Sequence, residues 1–465
     1  MLDSSVRLTS LICGTEPMNE VWSPRVTLQR MLDVEAALAR ACAAHGVIPA
    51  YAASVIEAAC AVRLIDAGML ARDAASGGNL AIPLVQQLTA QVRQLDVEAA
   101  KYVHWGATSQ DILDTGMVLQ LRDTFALLDA GLQTLCAALA GQAHKHRATP
   151  MVGRTWLQQA LPLTLGLKFA QWLDALLRHH ERLDGLRARL LVLQFGGAAG
   201  TLASLREAAP AVAQTLATEL GLALPAVSWH TQRDRVAEVA AFFGILTGTL
   251  GKMARDISLQ MQTEIGELAE PAAPGKGGSS TMPHKRNPVG CAAVLSAATR
   301  APGLVATMLS AMVQEHERAL GGWQAEWDVL PDLARLTGGA LAQTAQIISG
   351  IEVDTSRLAA NLDVTHGLIL GEAVMLALAD QTGRLEAHHL VEQATRAALQ
   401  SGRTLFEVLA DDATVTQHLP LAELERLLEP THYTGQASAS VDAVLALYTT
   451  RASRASQHSS HLPQE

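Results

Sequence analysis

Aromatic residues fill only 4% of the 465 positions and charged residues 17%. The scarcity of aromatics, beside abundant Ala and Leu, disfavours strand and favours helix. Low charge with 49% apolar residues excludes a disordered or fibrous chain and fits a globular protein of two or three domains. Cysteine is sparse too: Cys13, Cys42, Cys60, Cys136 and Cys291 are odd in number, widely spaced and never in a C-x-x-C pair. That pattern fits no disulfide framework and points to a reducing, cytoplasmic location. No uninterrupted apolar run reaches the roughly 18 residues of a membrane span. The N-terminus lacks a basic segment followed by an apolar one, and Leu11-Ile12-Cys13 is too brief for a signal peptide. Neither secretion nor membrane insertion is expected. A net charge of −10 without a local basic patch argues against nucleic acid or an anionic membrane as partner. The histidine pairs His144/His146, His179/His180 and His388/His389 form no H-E-x-x-H, so no catalytic metal is expected. FGGAAGT at Phe195 to Thr201 is not G-x-G-x-x-G and follows no strand; it reads as a helix-to-helix turn, and no cofactor is expected. No repeat of fixed period appears, which excludes a solenoid.

Helical periodicity is what the chain has in quantity. Val236, Val239, Phe243, Leu246, Leu250, Met253, Ile257, Met261, Ile265 and Leu268 follow one another in steps of three or four. The spacing predicts one helix over 232–269, on the order of 55 Å long at about 1.5 Å per residue. Such a seam needs bundle partners, across subunits if necessary. Similar stretches predict helices over 112–143, 157–193, 289–313 and 333–351. The fold class is therefore all-α: a central long-helix bundle over 112–355, flanked by smaller helical domains over 1–111 and 356–465, with a frayed tail from about Arg451.

Residues 271–288, PAAPGKGGSSTMPHKRNP, break the helical pattern with four prolines and three glycines. Connections between bundle helices usually take about 2 to 8 residues, and longer ones are often lids or binding loops. By composition alone this stretch suits a solvated linker equally well. It nevertheless concentrates donors: Ser279, Ser280, Thr281, His284, Lys285, Arg286 and Asn287.

GSSTMPHKRNP resembles the signature loop of the fumarase/aspartase superfamily. HWGATSQD at His104 to Asp111 and GRTWLQQALP at Gly153 to Pro162 resemble its other two signature regions, in the same order. The resemblance covers essentially the whole chain and implies that superfamily's fold and a homotetramer whose sites are shared between subunits. It also implies chemistry through an aci-carboxylate intermediate, which requires donors aimed at carboxylate oxygens and a group able to exchange a proton with the adjacent carbon. By the same resemblance Ser279 exchanges that proton, Lys285 supports the charge and Asn287 donates to a substrate oxygen. A serine hydroxyl is a poor base, so Lys285 and the loop amides must help hold its alkoxide. Thr108 and Ser109 supply hydroxyls where a helix starts, a place that suits a carboxylate and equally a plain helix cap. His104 and Gln158 match substrate-site positions, though a lone histidine is often structural and Gln158 could be an exposed helix residue. Arg318, in HERALGGWQAEW, suits bidentate pairing with a second carboxylate or an ion pair with Glu315 or Glu317.

Two positions depart from the lyase pattern. Where lyases of the superfamily read GRTH, with the histidine a candidate general acid, this chain has Trp156. The glutamate expected seven residues after Lys285 is Ala292. An amine leaving group needs an acid, whereas a carboxylate, with pKa of roughly 4, attacks or leaves without proton transfer. The resemblance, extended by EVWSPRVTLQRMLDVEAALARA, GGNLAIPLVQQL and GGWQAEWDVLPDL with Trp323 and Trp327, therefore implies lactonisation of a small tricarboxylate, 3-carboxy-cis,cis-muconate, in aromatic breakdown. Trp156 is then expected to shape a dry substrate pocket. A dicarboxylate lyase of the adenylosuccinate type, a sulfomuconate cycloisomerase and a non-catalytic structural oligomer are the alternatives.

Overall fold

The computed structural model describes residues 8–459. The chain is all-α apart from two short antiparallel pairs, β1 (Pro150–Thr155) with β2 (Gln158–Thr164) and β3 (Leu268–Ala269) with β4 (Glu352–Val353). The five expected long helices are present with altered bounds: Ser109–Lys145, Leu165–Leu190, Asp234–Gln260, Val289–Ser310 and Gly322–Ser349.

Three expectations need correction. The helix predicted over 157–193 is a hairpin followed by a helix, because Leu157, Leu161, Leu163 and Leu165 satisfy helical spacing while Pro162 suits a strand. Thr164 then starts the Leu165–Leu190 helix by accepting from the Leu167 N–H at 3.1 Å. The helix predicted over 232–269 stops at Gln260, leaving 27 residues or about 40 Å. Its seam appears longer than the helix because Leu268 is buried from β3, after a turn in which Gly266 takes a φ of 63°. The tail expected to fray from Arg451 is helical to Ser459 as part of Ala437–Ser459; residues 460–465 lie outside the described residues.

Two compact units each draw on three stretches: Met1–Leu132, His179–Lys252 and Ala292–Gln343 form one, and Gln133–Arg178, Met253–Cys291 and Thr344–Glu465 the other. In the first, Val236, Val239, Phe243, Leu246 and Leu250 are fully buried, and Phe243 meets Phe125 edge-on at 6.4 Å. Gly251 is required there, since a Cβ would lie 2.6 Å from the side chain of Ala298. In the second, a cluster of Val374, Leu378, Leu390, Leu405, Leu409, Val415 and Leu424 gathers the short C-terminal helices.

Three helices, Ser109–Lys145, Asp234–Gln260 and Val289–Ser310, are long and apolar enough to cross a membrane by length and composition, although no uninterrupted apolar run announces them. The bent pair Thr355–Asp363 and Leu368–Thr382 meets the same measure. Ser109–Lys145 nonetheless buries Gln110, Asp111, Asp114, Thr115, Gln120 and Thr124 within the chain.

Candidate active site

In the first unit, the candidate residues converge on the start of the Ser109–Lys145 helix. Asp111 lies in its first turn and is 1% exposed. Its carboxylate accepts from the backbone N–H groups of Thr108 (2.9 Å), Gly196 (3.0 Å) and Gly197 (2.9 Å), from the Gln194 amide, and pairs with His230 Nε2 at 2.8 Å. The glycine turn at 195–201 thus spends its donors on a carboxylate of the chain itself. Arg318 forks onto the same helix start: Nη1 donates to Thr108 Oγ1, Nη2 to Ser109 Oγ at 3.0 Å, and Nε to Gln110 Oε1 at 3.4 Å. It forms no ion pair with its neighbour Glu315, which instead accepts from the Leu320 N–H. Because the two hydroxyl oxygens accept from a guanidinium, their O–H protons are available to a carboxylate. Together they make a cationic corner of donors at a helix N-terminus.

Gln110 links this corner to a buried ion triad. Its amide nitrogen donates to His230 O at 2.8 Å and to Asp114 Oδ2 at 3.2 Å. Arg233, 2% exposed, bonds Asp114 through Nη1 (2.7 Å) and Nη2 (3.1 Å), and Glu326 through Nε (3.0 Å) and Nη2. Trp323 Nε1 completes Asp114 at 3.0 Å. Burial pushes the Glu326 carboxyl up and the attraction of Arg233 pulls it back, the net result being above the ordinary value.

His104 stands just before the corner, its Nδ1 2.6 Å from Glu35 Oε1. Burial opposes its charge, but the field and hydrogen bond of Glu35, helped by Asp111, raise its pKa above the ordinary 6.5.

The second unit holds the other candidates. The 271–288 loop is closed at its base by the Glu270 carboxylate, which accepts from the N–H groups of Gly290 (3.1 Å) and Cys291 (2.7 Å) in the first turn of Val289–Ser310. Arg286 ties the loop's far limb to Glu352 at 2.7 and 2.9 Å and to Glu270 O at 2.6 Å. Gly277, at a φ of 69°, accepts from the Asn287 N–H at 2.8 Å, and a Cβ there would lie 2.6 Å from Asn287 O. Glycine is therefore needed to close the loop. Ser279 Oγ accepts from the N–H groups of Thr281 (3.3 Å) and Met282 (3.0 Å). Two amides on one oxygen favour its anionic form. Asn287 lines a cavity of about 130 Å³ with Met261, Glu270, Lys276 and Arg286. Lys285 is exposed, and among the described residues its Nζ has no hydrogen-bond or ion-pair partner; the chain by itself does not bring it onto Ser279.

Gln158 and Trp156 sit at the tip of the β1–β2 hairpin. Gln158 is exposed and pairs with Thr155 in the ladder. Trp156 and Leu157 form the two-residue turn with φ of 52° and 63°, and Trp156 is 98% exposed. A turn of this hand ordinarily takes Asn-Gly. Within one chain Trp156 fills no pocket, contrary to expectation, because the hairpin carries it away from the core. At the hairpin's base Arg154 is consumed by the buried Glu267, at 2.8 and 2.6 Å, which also accepts from Asn361.

Comparison with known proteins agrees with this geometry. A lyase family profile matches residues 13–303, and one described as the C-terminus of adenylosuccinate lyase matches 367–444. The chain is 58% identical over 430 residues to a 3-carboxy-cis,cis-muconate cycloisomerase of Pseudomonas aeruginosa, covering 92% of this chain and 94% of that one. It is 53% identical to an enzyme of the same description from Bradyrhizobium diazoefficiens, covering 94% and 97%. The crystal structure of the 3-carboxy-cis,cis-muconate lactonizing enzyme of Pseudomonas putida superposes with a TM-score of 0.91 at 52% identity, covering 95% and 98%. The chain belongs to the fumarase/aspartase superfamily.

In this superfamily member, sequence reasoning passed over Glu35, Glu267, Glu270 and the Asp114–Arg233–Glu326 triad. Glu35 carried a usable signal: it falls in the buried register of Pro24–Ala44, three or four residues from Met31, Leu32 and Leu38. The remainder pair across 93 to 119 residues of sequence or with backbone amides, where no local pattern points.

Proposed function

We propose that the protein converts 3-carboxy-cis,cis-muconate into 4-carboxymuconolactone, in the protocatechuate branch of the β-ketoadipate pathway. The observation that carries this reading is the joint replacement of the lyase acid and its partner by Trp156 and Ala292, beside an intact Ser279 loop. One substrate carboxylate attacks the conjugated double bond and forms the C–O bond of the lactone. The electron pair moves onto the carbon bearing the neighbouring carboxyl group as an aci-carboxylate, and Ser279 Oγ–H delivers the proton to that carbon. The amides of Thr281 and Met282 stabilise the alkoxide left behind, and Lys285, carried over by resemblance, adds positive charge. Thr108, Ser109 and Arg318 receive a substrate carboxylate, with His104, Asn287, Gln158 and Trp156 completing the site. The reaction is redox-neutral, its nucleophile is already ionised, and it calls for no cofactor.

The same reading makes the protein a cytoplasmic homotetramer in which the three signature regions of each site come from different subunits. Only 33% of the most apolar window of Val289–Ser310 is buried within one chain, which supports partner helices there. The buried ionic groups of Ser109–Lys145 support a protein rather than a lipid environment for that helix. Five free cysteines suit a reducing compartment. We retain 1–111, 112–355 and 356–465 as its three modules, the last supported by the separate family match over 367–444. The test is ultraviolet decay of the muconate chromophore with identification of the product lactone. Loss of absorbance with a 4-carboxymuconolactone product is expected. An inert substrate, or cleavage of adenylosuccinate, would overturn the assignment.

A further inference from the structure

Glu35 is a costly residue where it stands. It lies mid-helix among Leu32, Val34, Leu38 and Ala39, and its side chain is 0% exposed. One oxygen, Oε1, meets His104 Nδ1 at 2.6 Å, while Oε2 is buried with no hydrogen-bond partner. A half-satisfied buried carboxylate opposes folding unless its charge is used. The second cost falls on His104, whose backbone holds a φ of 59°. For a residue with a side chain that conformation costs about 1–3 kcal/mol and persists only where the surroundings impose it. Both costs converge on one imidazole. Its ring is 20% exposed, and Nε2 has no partner among the described residues. Five residues on lies the Thr108–Ser109–Arg318 corner.

The charged groups acting on the ring are Glu35, from Pro24–Ala44, and Asp111, from Ser109–Lys145. Asp111 is already occupied by backbone amides, Gln194 and His230. Cys42 and Cys60 feel the same Glu35, but burial pushes Cys42 up to about 12 and Cys60 higher, so both stay neutral. Glu35 is thus the principal anion facing His104.

We propose that Glu35 is a positioning residue that holds His104 as an imidazolium, with Nδ1–H bound to Glu35 and Nε2–H presented to a substrate carboxylate beside the Thr108–Ser109 corner. Glu35 never touches the substrate; it installs a cation in an otherwise hydroxyl-lined corner and fixes the ring that carries it. This rests on the reading that the corner receives a carboxylate.

The test is histidine C2 hydrogen–deuterium exchange, read by peptide mass spectrometry against pH, on the full-length protein. It reports the titration midpoint of His104 whether or not turnover occurs. In wild type the midpoint should lie above 6.5. Glu35→Gln keeps an oxygen for Nδ1–H but removes the charge, and the midpoint should fall by at least one unit, a tenfold loss of proton affinity; Glu35→Asp should keep it high. With 3-carboxy-cis,cis-muconate, Glu35→Gln should raise KM about tenfold at pH 8 and less at pH 6, with kcat within about threefold. An unchanged His104 midpoint in Glu35→Gln, or a wild-type midpoint below 6.5 should that variant not fold, overturns the proposal. So does a lowered midpoint with unaltered KM. A wild type that leaves the muconate untouched while His104 titrates as described refutes the substrate reading and leaves the Glu35–His104 coupling standing.

Discussion

Replacing Arg233 by Met isolates the ion triad beneath the candidate site. The guanidinium holds two carboxylates that are each 2% exposed and spans them with four N–H···O contacts. Its removal leaves Asp114 with Trp323 Nε1 and Gln110, and leaves Glu326 without its charge partner. Breaking one buried pair typically costs about 3–5 kcal/mol, because the surviving charge stays desolvated. Two stranded carboxylates place this variant at or above the upper end, on the order of 5 kcal/mol at pH 8. The pH dependence has a definite sign. Without Arg233, burial raises the folded-state pKa of both acids above their unfolded value of roughly 4. A group shifted upward contributes stability that is fully present below the unfolded pKa and is lost as pH rises through the folded one. The deficit against wild type should therefore be largest at pH 8 and shrink towards pH 5. Urea unfolding followed by tryptophan fluorescence suits the purpose, since Trp229 lies 5.1 Å from the Arg233 guanidinium and Trp323 bonds Asp114; circular dichroism supplies the second probe. Converting all three positions together, Arg233→Met with Asp114→Leu and Glu326→Leu, should restore stability to within about 1–2 kcal/mol. A deficit below about 1 kcal/mol at pH 8, or one that ignores pH, would refute the reasoning.

Ser279→Ala should lower kcat by about 10²- to 10⁴-fold with circular dichroism and oligomeric state unchanged; activity within tenfold of wild type removes Ser279 from the chemistry. Mixing Ser279→Ala with Thr108→Ala under conditions of subunit exchange should restore partial activity, and failure despite exchange proven by mass spectrometry counts against shared sites. Trp156→His, alone or with Ala292→Glu, should impair lactonisation without bringing adenylosuccinate cleavage, as steady-state assays of both reactions would show. Full retention of lactonisation would make Trp156 a passive substitution.

Local periodicity and breakers were legible, and long-range pairing was not. Steps of three and four residues located all five long helices, and the prolines and glycines of 271–288 located the loop, because both effects act within a turn of chain. The β1–β2 hairpin was hidden because its leucines satisfy the helical period as well as the alternating one, leaving Pro162 as the only strong objection. Ser279, Thr108, Ser109 and Arg318 were identified by resemblance, and Arg318 then proved to bind Thr108 and Ser109 themselves. The residues that hold them were out of reach: Glu270 works through backbone amides, and Arg233 finds Asp114 from 119 positions away.

Trp156 is where the isolated chain and the proposed assembly diverge most, and the divergence has a physical direction. An indole 98% in water and a leucine 80% in water form a turn whose two residues both take the left-handed backbone. Each such residue costs about 1–3 kcal/mol, and the burial each side chain forgoes is worth roughly 1.5–3 kcal/mol. Asn-Gly would close the same two-residue turn without strain and without exposed apolar surface. A single chain gains nothing from Trp-Leu at this tip. In a tetramer with shared sites the tip projects into a neighbouring subunit, where the indole loses its water and the apolar contact offsets the backbone strain. The dry pocket that a carboxylate nucleophile favours would then be made by the assembly, with Trp156 as the part that one subunit lends to another.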